Sequence, residues 1–182
     1  MSDNTHQPQG RRDFRNKNQA PVESEFTEKI IAVNRVSKTV KGGRHFGFSV
    51  LVCVGDCKGR VAIALGKAKA VPDAVKKGLE KAKKMFITVP LYKHTITHPN
   101  IGKFSTSRVI MRPASPGTGV IAGGAVRAIF EALGVKDVLA KRIGSNNPVN
   151  VAKATMNALK LMRGVNDVAK IRGITPQQVI QG

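Results

Sequence analysis

A strict alternation of large and small side chains between residues 46 and 54 restricts this chain to a fold built on a β-sheet. The large residues Phe46, Phe48, Val50, Val52 and Val54 share one strand face, and Gly47, Ser49, Leu51 and Cys53 share the other. A run rich in β-branched residues precedes this strand at 30–40, and a shorter alternating run follows it at 61–65. Glycine-containing turns separate the three runs. We therefore predict a three-stranded antiparallel meander with a single face of large residues.

The segment that follows the meander, residues 71–86, has the periodicity of a helix. Pro72 suits its first turn, and Asp73 complements the helix dipole there. Val71, Val75 and Leu79 form an apolar stripe, and the lysines lie off it. We expect this helix to cover the large-residue face, with Phe46 and Phe48 beneath it, so that the first unit is β-β-β-α.

The second half of the chain alternates strand and helix patterns. The predicted elements are a strand at 108–112, a helix at 120–133 closed by Gly134, a strand at 135–143, and a helix at 148–162 capped by Asn147. We predict an α+β protein with a disordered tail at 1–28, a β-β-β-α domain at 29–92, a β-α-β-α domain at 100–164 starting near Lys103, and short helices at 165–182. Residues 91–98 are expected to be a junction.

The charge of the chain is strongly positive and unevenly placed. The 182 residues contain 31 Lys and Arg against 11 Asp and Glu, a net charge of +20. The first 28 residues carry −1, so the rest carries 27 basic and 6 acidic residues, or +21. A compact protein with this excess repels itself unless an anion screens it. A nucleic-acid backbone is the anion that best matches a basic excess spread over a whole fold.

Composition excludes several other classes of protein. Two cysteines are too few for a secreted disulfide framework, and no stretch approaches the roughly 20 apolar residues of a membrane span. We expect a cytoplasmic protein.

The chain has no Trp and one Tyr, so base stacking contributes little, and we expect phosphate contacts and recognition of folded RNA shape.

The first predicted hairpin concentrates cations around two glycines. Arg35, Lys38, Lys41 and Arg44 repel one another unless a polyanion is present, and a glycine tip lets backbone N–H groups approach phosphate. The full set that we expect to bind RNA is Arg35, Ser37, Lys38, Lys41, Gly42, Gly43, Arg44, Arg60, Lys67, Arg108, Arg112, Thr118 and Gly119.

Two nucleotide-binding patterns occur in contexts that argue against them. Residues 44–51 nearly match the RNP1 strand of an RNA-recognition motif, but that fold needs a strand and a helix upstream of this pair. Residues 117–122 fit a dinucleotide fingerprint, with Asp137 at the expected distance. The strand before the fingerprint carries Arg108, Arg112 and Pro113, which are not typical of a buried parallel strand. The loop could still hold a phosphate at the helix N-terminus.

No metal site, cofactor site or catalytic group is predicted. Cys53 and Cys57 have no second pair, and His94 and His98 lack the Glu of a zinc-protease motif. The acidic residues beyond the tail form no helix-spaced pair for general acid–base catalysis. We expect a protein that is not an enzyme.

Four segments, 33–44, 55–60, 112–125 and 144–148, closely resemble the bacterial small-subunit ribosomal protein S-five family, and the resemblance runs from about residue 28 to 163. The family has an N-terminal domain like a double-stranded-RNA-binding fold and a C-terminal β-α-β-α domain. The resemblance implies a structural protein on 16S ribosomal RNA near the messenger RNA entry path, linked to decoding accuracy and messenger unwinding.

The resemblance also implies protein partners. Family members contact ribosomal proteins S-four and S-eight, and the side towards S-four corresponds to Pro116, Gly117, Gly119 and Arg127. We expect no membrane contact and no homo-oligomer. An RNA-processing enzyme or its accessory subunit, and a nucleotide-binding oxidoreductase built on 117–122, remain as rival hypotheses.

Overall fold

The first unit of the protein is a sheet of three long strands and one short strand, with one helix packed on it. The protein is described here by a computed structural model, which covers residues 26–181; of the predicted tail, residues 1–25 lie outside the described part. The elements of this unit are β1 (Thr27–Val40), β2 (Gly43–Gly55), β3 (Arg60–Ala68), α1 (Val71–Ala82) and β4 (Ile87–Thr88). The strands are antiparallel in the order β1-β2-β3-β4, which confirms the predicted β-β-β-α unit.

Both faces of this sheet are buried, so the predicted single face of large residues is wrong. Directly opposite residues on antiparallel strands point to the same face. The register pairs Val52 with Ala64 and Val54 with Ala62, so the alanines of β3 lie beside the valines of β2 beneath α1. The larger residues of β3, among them Val61, therefore point to the opposite face together with the side chains of Leu51 and Cys53.

Helix α1 approaches the sheet closely because small residues face it. A Cβ on Gly66 would lie 2.0 Å from the carbonyl oxygen of Ala74, and one on Gly78 would lie 2.9 Å from a methyl group of Val52. The helix ends at Ala82, four residues before the predicted end. The chain leaves the helix there because the following segment pairs with β3 as β4.

The second unit contains a four-stranded sheet with helices on one side. Its elements are β7 (Asn100–Phe104), β8 (Ser107–Pro113), β9 (Val120–Ile121), α2 (Gly124–Leu133), β10 (Val138–Gly144), α3 (Pro148–Lys160), α4 (Val165–Arg172) and α5 (Pro176–Gln181). The sheet order is β7-β8-β10-β9, with β9 parallel to β10 and the other pairs antiparallel. The predicted order β-α-β-α is present as β8, α2, β10 and α3, and the two short helices follow as expected.

Two predicted boundaries in the second unit are wrong, and one of its strands was not predicted. The unpredicted strand is β7, in which Gly102 packs against α3, where a Cβ would lie 2.0 Å from the carbonyl oxygen of Ala154. Helix α2 begins at Gly124 because the preceding pair Val120–Ile121 is bound to β10. Strand β10 begins at Val138 because the amides of residues 136 and 137 donate to the carbonyl of His94.

The segment between the two units, predicted as a junction, forms a small hairpin. It consists of β5 (Leu91–Tyr92) and β6 (Thr95–Ile96). The side chain of Ile96 is buried in the larger core, so the segment packs against the second unit. The division into domains at 29–92 and 100–164 stays a prediction.

Helix α2 joins the two units through one continuous core. Ile129, Phe130 and Leu133 of α2 are fully buried in the same cluster as Leu51 and Cys53 of the first sheet. The second sheet contributes Val109, Met111 and Val138 to that cluster. The first sheet is therefore covered by α1 on one face and by α2 on the other.

The turn between β2 and β3 binds the C-terminal end of α2. The amides of Cys57 and Gly59 donate to the carbonyls of Ala132 and Leu133, each at 3.1 Å. Carbonyls at the end of a helix lack partners within the helix, so these amides satisfy them. Gly55 lies so close to the helix that a Cβ would be 2.0 Å from the carbonyl oxygen of Ala132.

We expect Gly55→Ala to destabilise the protein by about 2 kcal/mol or more, because the added methyl group forces the turn away from α2. The matched control is Gly124→Ala, at a position where a Cβ meets nothing within 4 Å. The control is expected to be neutral or stabilising by up to about 1 kcal/mol. Denaturant unfolding of both variants measures the difference, and equal midpoints would contradict the close packing.

Among residues 26–181, no helix has the length and apolarity that a membrane crossing requires.

Candidate RNA-binding surface

The ends of β1 and β2 extend beyond the rest of the first sheet as a two-stranded arm. Strand β3 ends at Ala68, which pairs with Phe48, so the more distal residues of β2 pair with β1 alone. We call residues 35–47 the hairpin arm. Its residues at 35–39 and 41–46 are all exposed, which leaves both faces of the arm open.

The tip of the arm is a tight turn with open space around its backbone. Val40 pairs with Gly43, so Lys41 and Gly42 form the turn. Gly43 has φ +135°, a conformation that side-chain-bearing residues rarely adopt. A Cβ on either glycine would meet nothing within 4 Å, so a ligand's backbone can come close to this turn.

Cations lie on both faces of the arm. By the strand register, Arg35, Ser37 and Arg44 share one face, and Lys38 lies on the other. Within residues 26–181, none of the arm's Lys or Arg side chains forms an ion pair. Lys67 lies near the base of the arm, in an open cavity of about 520 Å³ that is also lined by Phe48. The structure thus brings together most of the cations that the sequence predicted in the first unit.

Phe46 lies on the arm and not under α1, so its predicted burial is wrong. Its side chain is 51% exposed because α1 covers only the part of β2 that β3 also flanks. The Arg35 guanidinium carbon lies 4.1 Å from the centroid of the Phe46 ring, a cation–π contact. This contact holds the Arg35 side chain against the arm, and the sequence pattern gave no sign of it.

Arg60 lies away from the arm, at the other end of the sheet, and is tied to Asp56. Its Nε donates to Asp56 Oδ2 at 2.6 Å, while the amides of Lys58 and Arg60 donate to Oδ1 at 2.8 and 2.9 Å. Burial raises the pKa of Asp56, but the hydrogen bonds from Arg60 and Lys58 outweigh it and lower the pKa below its ordinary value. Arg60 therefore has a structural partner within the chain.

The loop at 115–119 binds the chain's own carboxylate. The amides of Gly117 and Gly119 both donate to Asp137 Oδ1 at 3.0 Å, and the Thr118 hydroxyl donates to the carbonyl of Ser115 at 2.7 Å. Asp137 is buried. Asp137, the acidic residue of the dinucleotide fingerprint, therefore accepts the hydrogen bonds of both loop amides, and α2 starts only at Gly124. The two amides that we expected to be able to bind a phosphate are bound within the chain instead.

The residues expected on the side of protein S-four lie on this loop and on α2. Pro116 and Gly117 are exposed in the loop. Arg127 of α2 donates from Nε to Glu131 Oε1 at 2.9 Å, and Glu131 also pairs with Lys29 of β1. Hydrogen bonds from Lys29 and then Arg127 lower the pKa of Glu131. Glu131 thus ties the two units together, a role that the sequence pattern did not reveal.

Arg108 and Arg112 lie on the outer face of the second sheet, apart from the arm. Along β8 the two arginines alternate with the buried Val109 and Met111, so the arginine side chains point away from the core. Both are exposed. Lys103 and Lys141 share this face. The sequence predictions included neither one, although alternation in 138–144 could have indicated Lys141.

The described residues offer no metal centre. In residues 26–181, no group of three or more His, Cys, Asp and Glu side chains is placed to hold a metal ion. Burial raises the pKa of the Cys53 thiol to about 12, although the charge of nearby Lys29 acts in the opposite direction, so this buried side chain is a protonated thiol at neutral pH.

The fold and this surface define a strongly basic, two-unit α+β protein with an exposed cationic arm. Residues 26–90 match the family model described as "Ribosomal protein S5, N-terminal domain", and residues 102–172 match "Ribosomal protein S5, C-terminal domain". The chain is also 52% identical over 161 residues to the small ribosomal subunit protein uS5 of Chloroflexus aurantiacus, covering 88% of this chain and 90% of that protein.

The chain belongs to the ribosomal protein S5 family. It is a structural protein of the small ribosomal subunit, in the cytoplasm, and acts in translation rather than as an enzyme. This confirms the family that the sequence resembles and the predicted fold class. It also excludes the two enzyme hypotheses.

We expect Asp56→Asn to destabilise the protein by about 1–2 kcal/mol at pH 7, because the turn loses a charge-assisted acceptor. The folded-state pKa is lowered, so the carboxylate contributes stability above its unfolded pKa of about 4 and loses it as the pH falls through the folded value. The difference from wild type should therefore shrink in acid. Glu80→Gln, at an exposed carboxylate that forms no ion pair within residues 26–181, is the control for denaturant unfolding between pH 7 and pH 3. A difference that stays constant over this range would contradict the role of the charge.

Proposed function

We propose that the hairpin arm binds 16S ribosomal RNA and thereby fixes this protein in the small subunit. The proposal rests on one observation. The projecting arm carries exposed Lys and Arg side chains, and none of them pairs with a carboxylate within residues 26–181. A folded RNA supplies phosphates on both sides of such an arm, and each contact releases a counterion.

Each part of the arm has a separate task in this proposal. Lys38, Lys41 and Arg44 neutralise phosphates, and the open backbone at Gly42 and Gly43 lets the RNA strand approach the turn. Arg35 stays stacked on Phe46, which lowers the entropy that its guanidinium group loses on binding. Ser37 adds a hydroxyl on the face of Arg35, and Lys67 extends the basic surface at the base of the arm.

The finer placement of the protein follows from its family resemblance. We propose contacts to messenger RNA at the entry path and to ribosomal proteins S-four and S-eight, with effects on decoding accuracy and messenger unwinding. The loop residues Pro116, Gly117 and Gly119, with Arg127 of α2, form the proposed side towards S-four. Support comes from the rigid loop, which Asp137 holds in one shape before any partner binds. We propose that the protein acts as a single copy, without a cofactor or a membrane.

The salt dependence of binding tests the arm. The experiment measures the binding constant K of the purified chain for small subunits prepared without this protein, at a series of salt concentrations. Replacing Lys41→Ala together with Arg44→Ala should flatten the slope of log K against log salt by about two units, at ~0.9 per phosphate contact on a duplex.

The control pair is Lys160→Ala with Lys170→Ala, which removes the same charge from exposed positions on the C-terminal helices. This pair should change the slope by less than half as much. A slope that is unchanged in the arm variant, or changed equally in both variants, would remove the arm from the RNA site.

A further inference from the structure

A cavity lies between the small hairpin of β5 and β6 and the C-terminal helices, and neither the arm nor the loop at 115–119 lines it. Its volume is about 420 Å³, which is within the range of roughly 300–1,000 Å³ that small-molecule sites have. We call it the C-terminal cavity. Its lining includes Tyr92, His98, Arg163, Val165, Val168 and Arg172.

One wall of the cavity is apolar because helix α4 contributes two valines to it. Val165 and Val168 are three residues apart on the helix, so they lie on the same face. Both side chains are only partly buried, and neither joins the core that α2 shares with the two sheets. A ligand with a flat apolar part would remove this surface from water, which is favourable.

The other wall carries two rings. Tyr92, the only tyrosine of the chain, is 36% exposed, and Lys93 Nζ lies 5.5 Å from the centroid of its ring. The His98 ring is held at both nitrogens, since Nε2 accepts from the amide of Arg163 at 3.3 Å and Nδ1 donates to the carbonyl of Pro99 at 3.0 Å. The orientation of the His98 ring is therefore fixed before any ligand binds.

The cations of the cavity have no partner of opposite charge. Arg163 and Arg172 are exposed, and within residues 26–181 neither forms an ion pair. No Asp or Glu from this part of the chain lines the cavity. A guanidinium group offers a planar fork of N–H donors, which matches the oxygens of a phosphate or a carboxylate. The cavity therefore favours a ligand that carries an anionic group.

A buried hydroxyl group at the cavity also lacks a partner. Thr97 is part of the lining, and its Oγ1 is buried and forms no hydrogen bond within residues 26–181. Buried polar groups in proteins are nearly always hydrogen-bonded. A ligand with polar atoms on its ring supplies the missing partner, whereas a plain hydrocarbon chain does not.

We propose that the C-terminal cavity binds a single nucleotide. The base packs between the valines of α4 and the two rings of the other wall, and the phosphate binds Arg163 and Arg172. Tyr and His rings and guanidinium planes are the groups on which proteins stack unpaired bases. An acyl carboxylate is the weaker ligand because it leaves the rings and the Thr97 hydroxyl without a partner. A free nucleotide and an unpaired nucleotide of an RNA strand present the same chemistry, so the two sources are separated by experiment.

A fluorine label on the tyrosine reports binding in the full chain. Growth with fluorotyrosine labels Tyr92 alone, because the chain has one Tyr, so a single fluorine NMR signal comes from the cavity. Adenosine monophosphate should shift this signal in a saturable manner. Adenosine, which lacks the phosphate, should bind more weakly by about tenfold or more.

Matched variants test the two arginines. Replacing Arg163→Ala together with Arg172→Ala should weaken the binding of adenosine monophosphate by about tenfold or more, because the phosphate loses charge-assisted hydrogen bonds. The control, Arg108→Ala with Arg112→Ala, removes the same charge from the second sheet, outside the cavity lining, and should bind within about twofold of wild type in physiological salt. An equal loss in both variants would show a response to net charge alone and would overturn the site.

Photo-crosslinking in intact small subunits identifies the source of the nucleotide. Val168→p-benzoylphenylalanine places a crosslinker in the cavity, and Leu161→p-benzoylphenylalanine places one at an exposed residue outside its lining. A ribonuclease-sensitive product at position 168 that is absent at position 161 assigns a nucleotide of RNA. Without that product, binding of adenosine monophosphate by the full chain assigns a free nucleotide.

Three results would overturn the proposal. They are a crosslink to protein at position 168, an equal yield of RNA product at both positions, and the absence of both RNA product and adenosine monophosphate binding. Because no residue of the arm lines the cavity, none of these results depends on the outcome for the arm variants.

Discussion

The shortage of carboxylates is the constraint on which the rest of this structure depends. Most of those in residues 26–181 hold the chain to itself. Asp56 closes the turn between β2 and β3, Asp137 holds the loop before α2, and Glu131 ties Lys29 to α2. Asp167 accepts from the amide of Gly164 at the start of α4. Because these acids are engaged internally, most of the cations can be neutralised only by another molecule.

Helix α2 connects the two units of this charged chain through a shared core. It lies against the second face of the first sheet and contributes to the core of the second, while its C-terminal carbonyls accept amides from the turn after β2. The arm is thereby carried on elements that share a core with the second unit.

Local patterns were sufficient to predict the elements whose signals lie within a few residues. The alternation in β2, the Asn147 cap of α3 and Gly134 at the end of α2 are of this kind. The strand faces were not predictable in the same way. Which residues of β3 lie beside the valines of β2 depends on the register across a turn, and the start of α2 depends on a parallel pairing with β10. Such contacts join residues that are distant in sequence, so periodicity does not report them.

The same distinction applies to the surface. The arm's cations could be found from their spacing around two glycines, since the hairpin is a local structure. Arg60 could not be assigned from the sequence alone, because its partner Asp56 was visible only as an isolated acid. Asp137 was placed in a dinucleotide fingerprint, and the pattern did not show that its carboxylate accepts from the loop amides. The exposure of Phe46 depended on where β3 ends, which is also a contact between residues distant in sequence.

The most direct test of the account is the position of the arm in the assembled small subunit. Electron cryo-microscopy of that subunit gives the distances from Lys41 Nζ and the Arg44 guanidinium to the nearest phosphate oxygens. The account predicts that both distances are within about 4 Å, the range of a direct ion pair. An arm that faces solvent or protein, with no ribose-phosphate chain within reach of either side chain, would contradict it.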